Sequence, residues 1–353
     1  MSTNKALVFK AIPTGWPKPG EHLTIESHDF NPSTPPPSDG VITENLYFSF
    51  DPYQRGRMRD ASIKSYSPAY PLGEPMTNFA VARIHASHNP SFSAGDIITG
   101  MLPIEEYTTL SSSSPLFKTL KKLNNPHKLD LKLFLGPLGM PGLTAFSSFY
   151  DIGQPKSGET IFVSAASGAV GQLVGQLAKH EGLKVYGSVG EDKKLAFITE
   201  ELGFDGGFNY KKEKTADALK RLAPDGVDIY YDNVGGEQLD AALAVMKVFG
   251  RVVCCGMISQ YNLKPEERYA YKNIGQLVPQ RLTMRGFIQG DPNMGPKYTE
   301  EHQEKMQKWL SEGTFKSKIS TTVGIDNAID GFLGMLKGEN FGKAVLVVKE
   351  SEV

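Results

Sequence analysis

Glu159–His180 reads ETIFVSAASGAVGQLVGQLAKH, and its reading decides the fold. Glu159–Ala165 (ETIFVSA) is an apolar run of strand length, while Gly168–His180 (GAVGQLVGQLAKH) carries its apolar residues at helical spacing. Between them stands Ala165-Ala166-Ser167-Gly168-Ala169-Val170-Gly171. A strand, a glycine-bearing turn and a helix, in that order, are the context that a dinucleotide fingerprint requires. Gly168 would let the backbone approach a pyrophosphate, and Gly171 would let the helix pack on the sheet. The helix N-terminus would offer N–H groups and a positive dipole end to the phosphates. The first glycine of the usual fingerprint is replaced here by Ala166.

Reading outward, strands and helices continue to alternate. Leu183–Ser188 (LKVYGS), Val227–Asn233 (VDIYYDN) and Gly250–Cys255 (GRVVCC) read as strands, with helices at Lys193–Leu202 and Glu237–Met246. Apolar strands separated by helices mean an α/β fold with a doubly wound parallel sheet, of the Rossmann type. The chain before residue 133 has a different texture. Ala6–Phe9, Leu23–Ser27, Val41–Ser49, Ala80–His85 and Ile97–Gly100 read as short strands, broken by joints such as Pro32–Asp39 (PSTPPPSD). The last segment reads as polar loops, a helix at Ile325–Lys337 and a closing strand at Lys343–Lys349 (KAVLVVK).

The length agrees with two domains, since 353 residues is about twice the usual ~150 per domain. Lys and Arg total 38 against 39 Asp and Glu, a net charge of −1, which argues against a nucleic-acid binder with a broad basic surface. No apolar stretch is long enough to span a membrane, and the start, Met1–Lys10, has no signal-peptide pattern. The two cysteines, Cys254 and Cys255, are adjacent, so a mutual disulfide and a Cys-rich zinc site are both disfavoured. Seven histidines are scattered without metal-ligand spacing. A cytoplasmic protein is the expectation.

The end of the second strand reads the cofactor. An NAD site wants a carboxylate there for the ribose 2′-hydroxyl. The strand instead ends Tyr186-Gly187-Ser188-Val189-Gly190, and Glu191 and Asp192 come two positions late. Lys193 and Lys194 follow and suit a 2′-phosphate, so NADP(H) is expected.

Several further segments carry a family resemblance. AASGAVGQLVGQLAK, Gly207–Lys211 (GFNYK), Asp232–Gly236 (DNVGG) and Cys255–Asn262 (CGMISQYN) resemble the medium-chain dehydrogenase/reductase superfamily. More narrowly, they resemble its zinc-free leukotriene B4 12-hydroxydehydrogenase/prostaglandin reductase branch. The run Asp51-Pro52-Tyr53-Gln54-Arg55-Gly56-Arg57-Met58, the segment Leu138–Ala145 (LGMPGLTA) and Gly338–Lys343 (GENFGK) match as well, so the likeness covers nearly the whole chain.

The resemblance implies a GroES-like β-barrel-type catalytic domain from residues 1–132 and 314–353. It implies a Rossmann NADP(H)-binding domain over 133–313, with the site in the cleft between them and a homodimer. Gly168, Ala169, Val170 and Gly171 would line the pyrophosphate, and Lys194 and Tyr210 would hold the 2′-phosphate end. Thr144, Asn233, Cys255, Gly256, Ile258, Phe287 and Asn340 would contact the ribose or nicotinamide side. Tyr261 would act at the substrate as the catalytic residue, and Tyr53 would line the pocket. The zinc members carry a Gly-His-Glu segment; the nearest here is Gly73-Glu74-Pro75, without histidine, so no metal is expected.

Without a metal, hydrogen bonds alone must polarise a carbonyl. A conjugated C=C–C=O suits such a site, because charge collects on the oxygen as an enolate when hydride enters the β-carbon. The expected activity is therefore NADPH-dependent double-bond reduction of α,β-unsaturated aldehydes and ketones, small-molecule enals and enones. Direct ketone or quinone reduction, a biosynthetic tailoring role and a non-catalytic NADPH-binding protein stand as alternatives. Loops rich in Gly, Pro and charge, Asn262–Ala270 and Gln289–Lys297, and the Ser-rich Pro103–Lys128 are expected to shape substrate choice.

Overall fold

Alternating apolar residues at the start of the chain pair into antiparallel sheets, as their period of two requires. The computed structural model describes residues 2–351. The first elements are β1 (Ser2–Phe9), β2 (Leu23–Phe30), β3 (Val41–Ser49), the short α1 (Tyr53–Arg57), β4 (Thr77–Ser87), β5 (Ile97–Pro103), β6 (Tyr107–Leu110) and β7 (Lys121–Lys122). The chain then builds α2 (Met140–Ser148), β8 (Thr160–Val163), α3 (Gly171–His180), β9 (Lys184–Val189), α4 (Asp192–Ala196), β10 (Gly206–Asn209) and α5 (Thr215–Leu222). Next come β11 (Val227–Asp232), α6 (Gly236–Leu243), β12 (Met246–Cys254), β13 (Thr283–Gly286) and α7 (Gly295–Ser311). It closes with β14 (Ile319–Val323), α8 (Ala328–Lys337) and β15 (Lys343–Val347).

These elements fall into two units, Met1–Leu135 with Ile319–Val353, and Gly136–Lys318. The return to the first unit lies at Ile319 because α3 holds the preceding residues. Gln176 Oε1 accepts the Lys316 amide and Gln172 Oε1 accepts the Lys318 amide, both at 2.8 Å.

In the first unit β1 and β2 form an antiparallel pair. A seven-stranded sheet runs β14-β15-β3-β4-β5-β7, with β6 also on β3. The last strand of the chain thus lies beside β3, with Val345 opposite Ser49. Every residue of β3 is buried, so its polar Asn45 needs partners inside; its amide donates to the Glu105 carbonyl and the Thr108 hydroxyl, each at 2.9 Å. Phe9, Phe48, Phe50, Ile98, Leu102, Phe332 and Leu346 belong to the core.

One buried ion pair joins the ends of this unit. Lys343 Nζ lies 2.8 Å from Asp51 Oδ1, with the two side chains only 1% and 4% exposed. Lys343 also donates to the Phe50 carbonyl, and Asn78 Nδ2 donates to Asp51 Oδ2 at 2.9 Å. Asn78 Oδ1 in turn accepts the Tyr53 hydroxyl proton. The tyrosine-bearing α1 and the Gly338–Lys343 turn are therefore held by one network.

In the second unit a six-stranded parallel sheet runs β10-β9-β8-β11-β12-β13. β8 sits centrally, with Ile161 opposite Val185 on one side and Ile229 on the other. Its Phe162 stacks on Tyr230, ring centres 5.0 Å apart, and on Phe208 at 5.9 Å.

Several boundaries differ from the sequence expectation. The quoted strand is shorter, Thr160–Val163, and the helix opens at Gly171, not Gly168. A tight turn intervenes: Ala165 adopts a left-handed φ of 48°, and the Gly168 amide closes on the Ala165 carbonyl at 2.9 Å. The helix expected over Lys193–Leu202 is α4 followed by a wider π-turn, Phe197–Glu201, where the Leu202 amide reaches back to the Phe197 carbonyl. The helix expected over Glu237–Met246 stops at Leu243, because a turn bond from Val245 to Ala242 sends Met246 into β12. The stretch read as polar loops holds α7, whose 17 residues bury only Gly295, His302, Met306 and Gln307. So narrow a buried face leaves little apolar periodicity to read. The Ser-rich Pro103–Lys128 contains β6 and β7.

Two substitutions test these constraints. A Cβ at Gly171 would fall 2.4 Å from the Ala165 carbonyl oxygen, whereas one at Gly275 meets nothing within 4 Å. Gly171→Ala is expected to cost about 1–3 kcal/mol in urea unfolding while Gly275→Ala stays within about 0.5 kcal/mol; equal effects would refute the close approach. Lys343→Met strands the Asp51 carboxylate in the core and should cost about 3–5 kcal/mol, with Asp51→Asn/Lys343→Met recovering part of it. A single-variant loss below about 1 kcal/mol would remove the ion pair from the account.

Candidate functional site

In a parallel sheet with right-handed crossovers, every strand ends at the same edge, and the loops leaving that edge form the ligand crevice. Ten of the sequence-predicted residues leave the carboxyl ends of these strands. Gly168, Ala169, Val170 and Gly171 follow β8; Lys194 follows β9; Tyr210 follows β10; Asn233 follows β11; Cys255 and Gly256 follow β12; and Phe287 follows β13. Ile258 and Tyr261 lie in the loop after β12, in and just beyond a 3-10 turn at Ile258–Gln260.

The turn after β8 offers an anion seat. α3 begins behind Val170, whose apolar side chain supplies no cap; the Gln172 and Leu173 amides already donate to the Gly168 and Val170 carbonyls at 3.1 and 3.0 Å, so the amide left for an anion at the helix start is that of Gly171. A Cβ at Gly168 would lie 3.1 Å from the Ala165 carbonyl, and one at Gly171 would also fall 2.9 Å from Ala166 Cα. The Ala166 amide donates to the Ser188 carbonyl at 2.9 Å, which ties the turn to the end of β9.

The end of β9 is a charged, tyrosine-covered corner. The Tyr210 amide bonds the Val189 carbonyl at 3.0 Å, and a Cβ on Gly190 would lie 2.9 Å from the Tyr210 hydroxyl, so a side chain there would push the ring aside. Tyr210 remains 44% exposed. Lys194 is only 5% exposed and lies 3.3 Å from Glu191, while Lys193 lies 2.9 Å from the same carboxylate. Of the two expected lysines, Lys194 is therefore the sheltered one and Lys193 the exposed one.

The ends of β11 and β12 are laced together. Asn233 donates its side-chain amide to the Ser164 carbonyl at 2.7 Å, and its backbone amide to the Ser164 hydroxyl at 2.9 Å. Asp232 Oδ1 accepts the Val234 and Gly235 amides and the Tyr230 hydroxyl, at 3.0, 2.8 and 2.7 Å. These bonds shape the turn in which Gly235 and Gly236 take positive φ. Asp232 Oδ2 is buried and has no hydrogen-bond partner among the described residues, and burial raises the pKa of this carboxyl. Tyr261 folds back so that its hydroxyl accepts the Met257 amide at 3.1 Å, passing over Gly256, where a Cβ would come within 3.2 Å of it. Accepting that bond polarises the hydroxyl and makes its O–H a stronger donor.

Thr144 stands on α2, where its hydroxyl donates to the Met140 carbonyl at 2.7 Å. Ser148 donates to the Thr144 carbonyl and shares a hydrogen bond with the Tyr231 hydroxyl at 2.7 Å. Burial pushes the Cys254 and Cys255 thiols up to about 12, so neither is a thiolate at neutral pH. Tyr53 and Asn340 lie in the other unit. Tyr53 stands on α1, and the Asn340 side chain donates to the Gly342 carbonyl at 2.6 Å in the turn before β15.

Ser164, Asp232, Gln238 and Lys343 were not foreseen as site residues. Gln238 accepts the Ser188 hydroxyl at 2.6 Å and braces the end of β9. Ser164 and Asp232 lay inside motifs already quoted, and their hydrogen-bonding side chains were the available signal.

The missing Cβ atoms in the turn after β8, the Gly171 amide at the helix start and the sheltered lysine fit a dinucleotide carrying a 2′-phosphate. Comparison with known proteins agrees. Residues 5–118 match the family described as the N-terminal domain of oxidoreductase, and residues 169–305 that described as zinc-binding dehydrogenase. The chain is 51% identical over 350 residues to the NADP-dependent oxidoreductase RED1 of Cochliobolus heterostrophus, covering 99% of each. It is 41% identical over 348 residues to a 2-alkenal reductase (NADP(+)-dependent) of Nicotiana tabacum, covering 98% of each. CurA from Vibrio vulnificus, solved in complex with NADPH, superposes with a TM-score of 0.87 at 32% identity, over 98% of this chain and 100% of that one.

The zinc in the second family's description does not fit this chain. Among the described residues no three His, Cys, Asp or Glu side chains are grouped to hold a metal. His302 is buried against the Pro137 carbonyl at 2.9 Å, and burial lowers its pKa to about 4. With its turn motifs, its sheet order and its relatives in agreement, the chain belongs to the medium-chain dehydrogenase/reductase superfamily, among NADP-dependent oxidoreductases related to alkenal reductases.

Proposed function

We propose that this protein uses NADPH to reduce the C=C bond of α,β-unsaturated aldehydes and ketones. The observation that carries the reading is the Tyr261 hydroxyl, held by the Met257 amide at 3.1 Å in the loop that leaves the carboxyl end of β12. The relatedness to a 2-alkenal reductase supports the same substrate class.

Bound NADPH supplies the hydride. The residues of this chain bind, orient and polarise. The Gly171 amide at the start of α3 faces the pyrophosphate, with Gly168, Ala169, Val170 and Gly171 as its seat. Lys194 offers its ammonium to the 2′-phosphate and Tyr210 covers that end. Thr144, Asn233, Cys255, Gly256, Ile258, Phe287 and Asn340 serve the ribose and nicotinamide side, while Tyr53 lines the substrate pocket. Tyr261 donates a hydrogen bond to the carbonyl oxygen of the enone. That bond strengthens as charge builds on the oxygen toward the enolate, so it favours the transition state over the bound substrate. The unit with the parallel sheet is the NADP(H)-binding domain, and the unit formed from both chain ends is the catalytic one. Among the described residues no helix is long and apolar enough to cross a membrane. A cytoplasmic homodimer completes the proposal; sedimentation equilibrium showing only monomer at micromolar concentration, or a tagged protein seen in an organelle, would correct it.

Tyr261→Phe keeps the ring and removes the donor. With NADPH and a simple enone, kcat/KM should fall about tenfold or more while KM for NADPH moves less than about threefold. A kcat/KM within about threefold of wild type would exclude a catalytic hydrogen bond from this residue. The product identifies the reaction: a saturated ketone supports C=C reduction, and an allylic alcohol would show direct carbonyl reduction instead.

A further inference from the structure

Two carboxylates follow β9, and the structure gives them different surroundings. Asp192 is engaged away from the lysine pair: its oxygens take the Asn209 side-chain amide at 2.8 Å and the Lys212 ammonium. Glu191 faces the lysines. One of its oxygens lies 2.9 Å from Lys193 Nζ and the other 3.3 Å from Lys194 Nζ. The Lys194 side chain is 6% exposed and that of Glu191 34%, so the carboxylate is the more open member of the pair. Tyr210 packs on Gly190, the residue immediately before.

We infer that Glu191 is a coenzyme-selectivity residue, whose carboxylate sits on the ammonium groups that a ribose 2′-phosphate must engage. The inference rests on the NADP(H) reading of this corner. A 2′-phosphate carries nearly two negative charges at neutral pH. To reach Lys194 it must displace the Glu191 carboxylate or lie within a few ångströms of it, and either costs binding. A ribose 2′-hydroxyl is a neutral donor, and a carboxylate is the acceptor it prefers. Glu191 therefore penalises NADPH and tolerates NADH, and the discrimination between the two is narrower than the two lysines alone would set. The hydrogen bond from Lys193, with that from Lys194 behind it, holds the Glu191 carboxyl below the usual carboxylate range, so the group is charged throughout the neutral region.

The consequence is of unusual sign: removing a residue from the site tightens coenzyme binding. Glu191→Gln keeps the shape and deletes the charge at a partly exposed position, so folding is not at issue. Titrating the full-length protein by intrinsic fluorescence, the Kd for NADPH should fall about five- to tenfold at low ionic strength, and the gain should shrink at about 0.5 M salt as screening sets in. The Kd for NADH should stay level or rise. A variant that binds NADPH no more tightly than wild type, or that tightens NADH equally, overturns the inference while leaving the NADP(H) reading intact. A wild-type protein that binds NADH but not NADPH overturns that reading, and this inference with it.

Discussion

The backbone contact between Gly171 and the turn at Ala165–Ala166 is the constraint on which the rest of this protein depends. With a Cβ absent at Gly171, α3 starts against the end of β8, and the first amides of the helix emerge at the carboxyl edge of the sheet. That edge then collects the ends of five neighbouring strands. Ser164 binds Asn233, Ser188 binds both the Ala166 amide and Gln238, and Asp232 shapes the turn that follows it. A wider approach at Gly171 would shift the helix start and lengthen these bonds, most of which lie near 2.6–3.0 Å where geometry is strict. Binding groups on separate loops are thereby held by a rigid sheet, which is what a site for a long, polar cofactor demands.

In the other unit the corresponding role falls to the Asp51–Lys343 pair. Burying both charges is expensive, and the expense is offset only because each charge has further partners: the Phe50 carbonyl for Lys343, and Asn78 for Asp51. The pair lowers freedom where freedom would matter, since α1 carries Tyr53 and the turn before β15 carries Asn340.

The chemistry on this framework is one of neutral donors more than of charged groups. Both thiols are pushed up to about 12 and no metal-holding group is present among the described residues. A carbonyl must then be polarised by hydrogen bonds, and a tyrosine whose oxygen already accepts a backbone amide is suited to donate one. Charge is concentrated instead at the end of β9, where Lys193, Lys194 and Glu191 compete over one corner.

What could be read from the sequence was whatever depends on local spacing. The strand–turn–helix at 159–180, the alternation that follows it and the neutral end of the second strand are set by near neighbours, and they sufficed for the α/β class, the parallel sheet and the family. The candidate site residues came mostly with the motifs that contain them. Local spacing did not reveal α7, because a helix that buries four of its residues writes almost no apolar period. It placed the start of α3 at Gly168, because the left-handed turn at Ala165 is a tertiary choice that alanine does not advertise. It paired Lys193 with Lys194 as equals, although packing shelters one and exposes the other. Most of all it gave no sign that Asp51 and Lys343, 292 positions apart, meet in the core. Local preference writes itself into neighbouring residues, whereas long-range pairing is decided only when burial forces each charge to find its partner.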